Sequence, residues 1–375
     1  MLNAKLWRHF DFWLLGAVAL LCIIGIAMIR STTVTSLDPA LQASTERQII
    51  FSLIGAGIVV VFSAIDYRFY GATAPAIYLI LLVLLVIVYF VAQATFGAAR
   101  WIDLGIIRVQ PSELGKFLMI LTLGHYIVTH KDEIERFAFV LKTLVHIGVP
   151  VVLILLQPDL SSCIIYGVVW FTLMWMSGLR WRHLAVLGGA AAVVAVAGFF
   201  AALQSERLGY IAQRVIVFFV PDTNSQAYRD AFYNINQALI SIGSGGWLGQ
   251  GYGQGPQVQL RFLKVRHTDF IFSAIGHEFG FVGAVIVMLL FAFVVWRIYR
   301  AGQAARDPYG RLICFGVGTV ILFEAFSNIA SNMQLIPVSG SPLPFISYGG
   351  SSLWTFLIGI GLVESVILRH KQIEF

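Results

Sequence analysis

The segment RFLKVRHTDFIFSAIGHEFGFVG, residues 261–283, joins a polar stretch directly to a long apolar run that begins at Phe270. The basic side chains of the polar stretch are Arg261, Lys264, Arg266 and His267. A single acid, Asp269, follows them, and His277 and Glu278 lie further along, inside the apolar run. Ionisable groups within an apolar span cost roughly a few kcal/mol and usually face a polar cavity. The segment therefore predicts a loop that enters a membrane helix, with a functional site at its mouth.

Asp269 admits two interpretations at this stage. Aspartate is favoured as the N-cap of a helix, and its charge suits the positive helix end. The residue is therefore either a structural cap or a functional carboxylate, and the rest of the chain must separate the two.

Composition places the chain among membrane proteins. It has 375 residues, of which 58% are hydrophobic and 12% charged, whereas soluble domains have about 45–50% and about 25%. We predict a single all-α domain, residues 1–375, with ten transmembrane helices of about 20 apolar residues each. The predicted spans are 12–29, 48–65, 74–93, 113–129, 139–156, 160–177, 183–203, 270–296, 311–335 and 346–368.

The distribution of Lys and Arg predicts the orientation. With the N-terminus inside, the inner segments hold fourteen of these residues and the short outer loops hold four. Such an excess marks the cytoplasmic side. Both termini are therefore predicted to be cytoplasmic, and the large loop 204–269 between helices 7 and 8 extracytoplasmic. The net charge of +6 follows from this topology and does not call for a nucleic-acid partner.

Two polar motifs lie at predicted outer ends of spans. Glu113 and Lys116 are three residues apart and share one helix face, so they form either a structural ion pair or part of a cavity wall. Asp159, in the turn QPDLSS of residues 157–162, is either the cap of the next helix or a substrate contact.

The loop 204–269 contains a predicted surface helix and a glycine-rich run. Helical spacing of apolar and polar residues within 226–242 predicts a helix along the membrane surface. The run GSGGWLGQGYGQG, residues 243–255, has seven glycines and is either a flexible loop or a set of backbone N–H groups for a phosphate. It lacks the features of a nucleotide-binding fingerprint.

Residues 332–352 contain three prolines and three glycines, which prevent a continuous helix. Irregular backbone at membrane depth is tolerated where it is buried in protein or lines a wet cavity. We predict that this segment re-enters the protein, although an exposed loop is the alternative. The side chains expected to line the cavity are Ser347, Tyr348, Ser351 and Ser352.

These motifs together resemble the signature of the SEDS family, the shape, elongation, division and sporulation proteins. The matching motifs are RW (100–101), QPSE with Lys116, QPDL (157–160), GGWLGQG (245–251), HTDFIF (267–272) with E-x-G, and PLPFISYGGSS (342–352). The resemblance covers nearly the whole chain, and the compact termini favour the rod-shape members. The chain departs from the family at two places. Lys264 to Arg266 stand where family members commonly have a Pro-Glu pair, and His277-Glu278 stands where they commonly have Glu-Glu.

The resemblance implies a peptidoglycan glycosyltransferase in the bacterial cytoplasmic membrane that polymerises lipid II at the outer face for cell elongation. It implies that Asp269 is the catalytic carboxylate, and it places Glu113, Lys116 and Asp159 at family motif positions. It further implies a class B penicillin-binding protein as partner, within an elongation machinery.

The chemistry of the residues agrees with this assignment. A carboxylate such as Asp269 can accept the proton of an acceptor hydroxyl as general base. Basic side chains suit the pyrophosphate leaving group, and the candidates are Arg207, Arg214, Arg261, Lys264 and Arg266. A divalent cation, Mg²⁺ or Mn²⁺, is compatible with the reaction, although no acid cluster with ligand spacing stands out. Apolar grooves between spans would hold the polyprenyl tails among the membrane lipids.

Two other classes of function fit parts of the pattern. Charged residues inside spans and a Pro/Gly-broken segment also suit a flippase or transporter of lipid-linked precursors. A scaffold without activity, recruiting other wall proteins, is the third hypothesis.

Overall fold

The computed structural model describes residues 9–36, 38–92, 101–103, 105, 108–157, 159–204, 226–263, 265–338 and 340–369. The helices are α1 (Phe12–Thr33), α2 (Pro39–Gln42), α3 (Ser44–Ala64), α4 (Tyr67–Ala72), α5 (Ala74–Ala92), α6 (Pro111–Thr129), α7 (Phe137–Leu155), α8 (Leu160–Met176), α9 (Trp181–Gln204), α10 (Gln226–Gly245), α11 (Pro256–Gln259), α12 (Ile271–Gln303), α13 (Pro308–Asn332) and α14 (Gly350–Leu368). A 3₁₀ turn covers Lys131–Glu133. The predicted all-α membrane fold is confirmed.

Ten of these helices coincide with the ten predicted spans. By length and hydropathy, seven of the described helices are sufficient to cross a membrane, namely α1, α3, α5, α7, α12, α13 and α14. Helix α8 is apolar but shorter, with 17 residues. Helix α6 carries Glu113 and Lys116 in its first two turns, which lowers its hydropathy. Helix α9 completes the ten, and the last span begins four residues later than predicted because 346–349 are not helical.

Helices α13 and α14 form the centre of the bundle. In the most apolar part of each, 72% and 83% of the residues are buried, against 22% for the peripheral α5. Helix α14 packs along α3, and α13 packs against α12, α8 and α6. Glycines permit some of these close contacts: a Cβ at Gly359 of α14 would lie 2.4 Å from the Phe117 ring of α6.

A small hairpin that the sequence did not predict precedes α6. Strands β1 (Ile102–Asp103) and β2 (Arg108–Val109) pair antiparallel, with Ile102 opposite Val109. The predicted helix in the large loop is present as α10, and it packs against α12. Residues 205–225 of that loop, with the predicted Arg207 and Arg214, lie outside the described residues.

Helix α12 is broken at Gly280, where φ is 67° and ψ is −162°. The glycine-rich run packs against this break. Gln250 N donates to the His277 carbonyl at 3.0 Å, and Gly251 N donates to the Glu278 carbonyl at 3.1 Å. Two backbone N–H groups of the run are therefore engaged by α12. The run packs against this helix, and its binding of a phosphate stays a prediction.

Candidate active site

A cavity of about 720 Å³ lies where the irregular segments of the chain meet. Its walls come from the start of α3, the β1–β2 hairpin, the first turns of α6 and α8, the residues before α12, and the segment 340–352. The volume falls within the range of small-molecule sites, about 300–1,000 Å³. Most lining side chains are polar or charged, and they come from positions between residues 40 and 352 of the chain.

Asp269 lines this cavity, directly before α12. The N-cap position of α12 belongs to Phe270, and the capping contact comes from Asn332 of α13. Asn332 Oδ1 accepts from Ser273 N at 3.2 Å and from Ser273 Oγ at 2.6 Å. A buried amide of the first helical turn, which has no partner within its own helix, is thus satisfied by another helix. The hypothesis that Asp269 is only a cap is therefore not supported.

The backbone around Asp269 is fixed by neighbouring elements. Its carbonyl oxygen accepts from Asn328 Nδ2 at 3.0 Å and from Asn332 Nδ2 at 2.8 Å. On the other side, Ser347 Oγ donates to the Thr268 carbonyl at 2.8 Å. The carboxylate is half-buried, so it faces the cavity from a rigid support.

The segment 340–352 re-enters the protein as predicted, and it forms one wall. Tyr348, Ser351 and Ser352 line the cavity. Ser347 lies behind the wall, where its hydroxyl accepts from Leu343 N at 2.9 Å besides donating to Thr268. Three of the four predicted side chains thus reach the cavity, and the fourth shapes the turn that carries them.

Asp159 caps α8, as one of the two interpretations predicted, and it also lies at the cavity. Its Oδ1 accepts from Ser162 N at 3.3 Å, which caps α8. Its Oδ2 accepts from Gln110 Nε2 at 2.9 Å, Ser112 Oγ at 3.2 Å and Ser162 Oγ at 2.8 Å. The residue also lines the cavity. Asp159 therefore joins the starts of α6 and α8 and fixes one side of the site.

Glu113 and Lys116 form the predicted ion pair, and a third residue joins it. Lys116 Nζ donates to Glu113 Oε1 at 2.7 Å and also to Glu324 Oε1 of α13. All three side chains are buried. In the described part of the chain, the second oxygens of Glu113 and Glu324 have no hydrogen-bond partner. The sequence signal for Glu324 was its position as an acid inside a predicted span.

The structure places two further arginines at the site besides the predicted Lys116 and His267. Among the described residues, Arg47 of α3 and Arg108 of β2 line the cavity together with Lys116. Arg266 is buried, and its Nε donates to the Thr32 carbonyl at 2.7 Å. Arg261 likewise donates to the Thr35 carbonyl.

Two of the expected leaving-group binders lie in the described residues. Arg261 and Arg266 each donate one hydrogen bond to a backbone carbonyl near the end of α1 and so anchor their segment there. Lys264, Arg207 and Arg214 lie outside the described residues. From the sequence, Arg47 and Arg108 could be identified only as basic residues of the short outer loops, and their place at the cavity could not be predicted.

His267 lines the cavity beside Tyr348, with 5.9 Å between their ring centroids. Burial lowers the pKa of His267, and the nearby Arg266 lowers it further. The ring is therefore neutral at pH 7 and adds hydrogen-bonding capacity without charge.

No cluster of three or more metal-ligating side chains occurs among the residues that the structure describes. The site consequently has no ready protein-only cage for a divalent cation in that part of the chain. Mg²⁺ commonly binds through one or two carboxylates together with substrate phosphates.

Comparisons with known proteins extend to nearly the whole chain. The family profile of FtsW, RodA and SpoVE, described as cell cycle protein, matches residues 12–372. The chain is 34% identical over 365 residues to the peptidoglycan glycosyltransferase MrdB of Escherichia coli K12, covering 96% of this chain and 95% of MrdB. It is 32% identical over 377 residues to a probable peptidoglycan glycosyltransferase FtsW of Geobacter sulfurreducens, covering 99% and 98%.

Solved structures agree with this result. A chain of a peptidoglycan synthase complex, described as coordinating polymerization and crosslinking, matches with a TM-score of 0.80 and 26% identity over 97% of this chain and 99% of that chain. The rod shape determining protein RodA of Thermus thermophilus matches with a TM-score of 0.70 and 28% identity, over 98% and 99%.

Proposed function

This chain belongs to the FtsW, RodA and SpoVE family and is a peptidoglycan glycosyltransferase, and we propose that it polymerises lipid II in the cavity beside Asp269. The observation that supports this most directly is the placement of Asp269: its carboxylate faces the cavity while Asn332 caps α12. A carboxylate at the cavity wall lies where it can accept the proton of a bound sugar hydroxyl.

We propose that Asp269 is the general base of the reaction. A hydroxyl of the acceptor sugar gives its proton to the carboxylate and attacks the anomeric carbon of the donor. The bond from that carbon to the phosphate oxygen breaks, and polyprenyl diphosphate leaves with the electron pair. The proton then passes from Asp269 to solvent, which restores the carboxylate.

The negative charge of the leaving diphosphate requires cations near the reacting centre. Arg47 and Arg108 line the same cavity as Asp269 and are exposed, so they are the proposed diphosphate contacts. Arginine suits phosphate oxygens because its planar fork donates two parallel hydrogen bonds. Lys116 is less available, since Glu113 and Glu324 accept its donors. A Mg²⁺ or Mn²⁺ ion carried by the diphosphate is compatible with Asp269 as one ligand.

We propose that the cavity opens at the outer face of the membrane and that both termini are cytoplasmic. The excess of Lys and Arg in the inner segments supports this orientation. Lipid-linked precursors would then present their sugars to Asp269 while their tails stay among the membrane lipids. A cysteine placed at Gln254 of the glycine-rich run should react with a membrane-impermeant reagent from outside. Labelling only from the cytoplasmic side would overturn the topology.

The proposed partner is a class B penicillin-binding protein that crosslinks the strands made here. A matching chain comes from a complex described as coordinating polymerization and crosslinking, which supports this proposal. Native extraction of the protein should recover such a transpeptidase, detectable with a labelled β-lactam. Its absence from the purified complex would contradict the proposal.

Purified protein with lipid II separates the candidate functions. Elongated glycan strands on a gel are expected for the polymerase. Transbilayer movement of lipid II without elongation would instead indicate a flippase, and neither activity would indicate a scaffold. The names of the relatives do not favour the flippase, so elongation is the expected result.

A further inference from the structure

The break at Gly280 divides α12 into two parts with separate supports. The first part, together with the two residues before it, is an arm of eleven residues, 269–279, with Asp269 at its front and Glu278 near its back. Carbonyls of His277 and Glu278 bond to the glycine-rich run instead of continuing the helix. Amides of Phe281 and Val282 beyond the break donate to the Gly246 and Trp247 carbonyls at 2.8 and 3.1 Å. The arm is therefore supported at its back by the glycine-rich run, and at its front by the bonds of Asn328 and Asn332 to the Asp269 carbonyl.

The contact between the arm and the glycine-rich run leaves no room for side chains. A Cβ at Gly249 would lie 2.1 Å from the Glu278 carbonyl oxygen, and one at Gly245 would lie 1.9 Å from the Gly276 carbonyl oxygen. His277 adds a polar contact to α10, since its Nδ1 lies 2.9 Å from Ser244 Oγ. The back of the arm is thus packed backbone against backbone.

Glu278 contributes a further contact that packing alone does not require. Its side chain is 1% exposed, and its Oε1 accepts the hydroxyl hydrogen of Ser31 in α1. Gln259 of α11 donates to the Ser31 carbonyl at 3.1 Å and so supports the serine. Within the described residues, Glu278 Oε2 has no hydrogen-bond partner. Burying a carboxylate with an unsatisfied oxygen costs folding free energy, which indicates that Glu278 has a function beyond packing.

We infer that Glu278 is a positioning residue for the glycosyl transfer. Its hydrogen bond to Ser31 fixes the back of the arm to α1 and so maintains the position of Asp269 in the cavity. This inference rests on the proposed function of Asp269. Nine residues separate Glu278 from Asp269, which corresponds to about 13.5 Å along a helix. A tilt of about 5° at the back therefore moves Asp269 by roughly 1 Å, and misplacement of about 1 Å can cost roughly 100-fold in rate.

The test uses the purified full-length chain with lipid II. Glu278→Ala is expected to lower kcat about 10- to 100-fold and to leave KM within about twofold, because Arg47 and Arg108 are not on the arm. Glu278→Gln keeps an oxygen that accepts from Ser31 and should recover most of kcat. Ser31→Ala should lower kcat similarly, and the double variant Ser31→Ala/Glu278→Ala should be no worse than Glu278→Ala alone, since both remove one contact.

Glu364→Ala is the matched control. Glu364 is also a fully buried carboxylate, its Oε2 accepts from Asp11 N at 3.1 Å, and its Oε1 has no partner among the described residues. It lies fourteen residues beyond Gly350, about 21 Å along α14 from the cavity wall. We expect a loss of thermal stability similar to that of Glu278→Ala with unchanged kcat.

A second readout does not depend on activity. A cysteine at Thr268, in a Cys163→Ser background, should react several-fold faster with a water-soluble maleimide when Glu278 is Ala than when it is Glu. The inference would be overturned if Glu278→Ala kept a normal kcat and unchanged labelling. It would also be overturned if Glu278→Ala and Glu364→Ala lost kcat equally, or if Glu278→Gln did not recover kcat. A wild-type protein that does not polymerise would instead refute the proposed function, and the labelling result would still decide whether Glu278 holds the arm.

Discussion

Replacing Asp269 with Asn distinguishes a role in proton transfer from a structural role, because it changes a single oxygen of the side chain to nitrogen. The variant keeps the size of the side chain and removes its basicity. The backbone contacts of residue 269 come from Asn328 and Asn332 to its carbonyl oxygen, and the cap of α12 comes from Asn332. Asn leaves all of these bonds in place and keeps an oxygen that accepts hydrogen bonds, so the free energy of unfolding should change by less than about 1 kcal/mol.

The expected effect on the rate is much larger. General-base contributions are roughly 100- to 10,000-fold, which corresponds to about 2.7–5.4 kcal/mol of activation free energy. Polymerisation of lipid II, followed on gels as strand length against time, should nearly vanish in Asp269→Asn. The unfolding temperature, measured in the same detergent, should stay close to that of the wild type.

Asn332→Ala provides the structural counterpart. It removes the bonds to Ser273 and to the Asp269 carbonyl, and it should lower the free energy of unfolding by about 1–3 kcal/mol. Normal polymerisation by Asp269→Asn would refute the proposed mechanism. A stability loss of about 1 kcal/mol in Asp269→Ala, together with silent Asp269→Asn and Asn332→Ala variants, would show instead that Asp269 is the cap.

Three further predictions concern the cavity walls. Arg108→Ala should raise the KM for lipid II about tenfold at unchanged fold, because one charge-assisted contact to phosphate is lost; an unchanged KM would remove Arg108 from the site. Lys116→Met should lower the free energy of unfolding by about 3–5 kcal/mol, since two buried carboxylates lose their shared cation. Adding Glu113→Gln and Glu324→Gln should recover most of that stability and leave partial activity, whereas complete loss of activity in the well-folded triple variant would indicate a direct catalytic role. Burial lowers the pKa of His267 in the folded state, so its stabilising contribution is present above pH 6.5 and is lost as the pH falls below that value. The unfolding temperature should therefore fall less steeply between pH 7 and pH 5 in His267→Gln than in the wild type. Identical slopes in the two proteins would contradict this.

The positions of the helices followed largely from hydropathy. All ten predicted spans coincide with helices, because each must satisfy its own backbone hydrogen bonds in an apolar medium. The boundaries moved where local chemistry differs: α13 begins earlier, at Pro308, since Asp307 caps it and accepts from Gly310 N at 2.8 Å. The β1–β2 hairpin was missed because strands of two residues carry no periodicity.

The site was predictable in part. Asp269, Glu113, Lys116 and Asp159 stood out because acids and bases at the ends of apolar spans are costly without a role. The contacts of the basic residues could not be predicted, because proximity in sequence to Asp269 does not determine where a long side chain points. Arg266 reaches back to α1, while Arg108 comes from a hairpin more than 150 residues earlier in the chain.

The sequence by itself determined the class of protein, the number of spans and the acid at the centre of the site. These depend on hydropathy and on the identity of single residues, which are local properties. Only the tertiary structure decided that Asn332 caps α12, that Glu324 shares Lys116 with Glu113, and that Arg47 and Arg108 line the same cavity as Asp269. Each of these contacts joins residues from helices or strands far apart in the chain. Their geometry depends on how the bundle packs, and no local pattern specifies that packing.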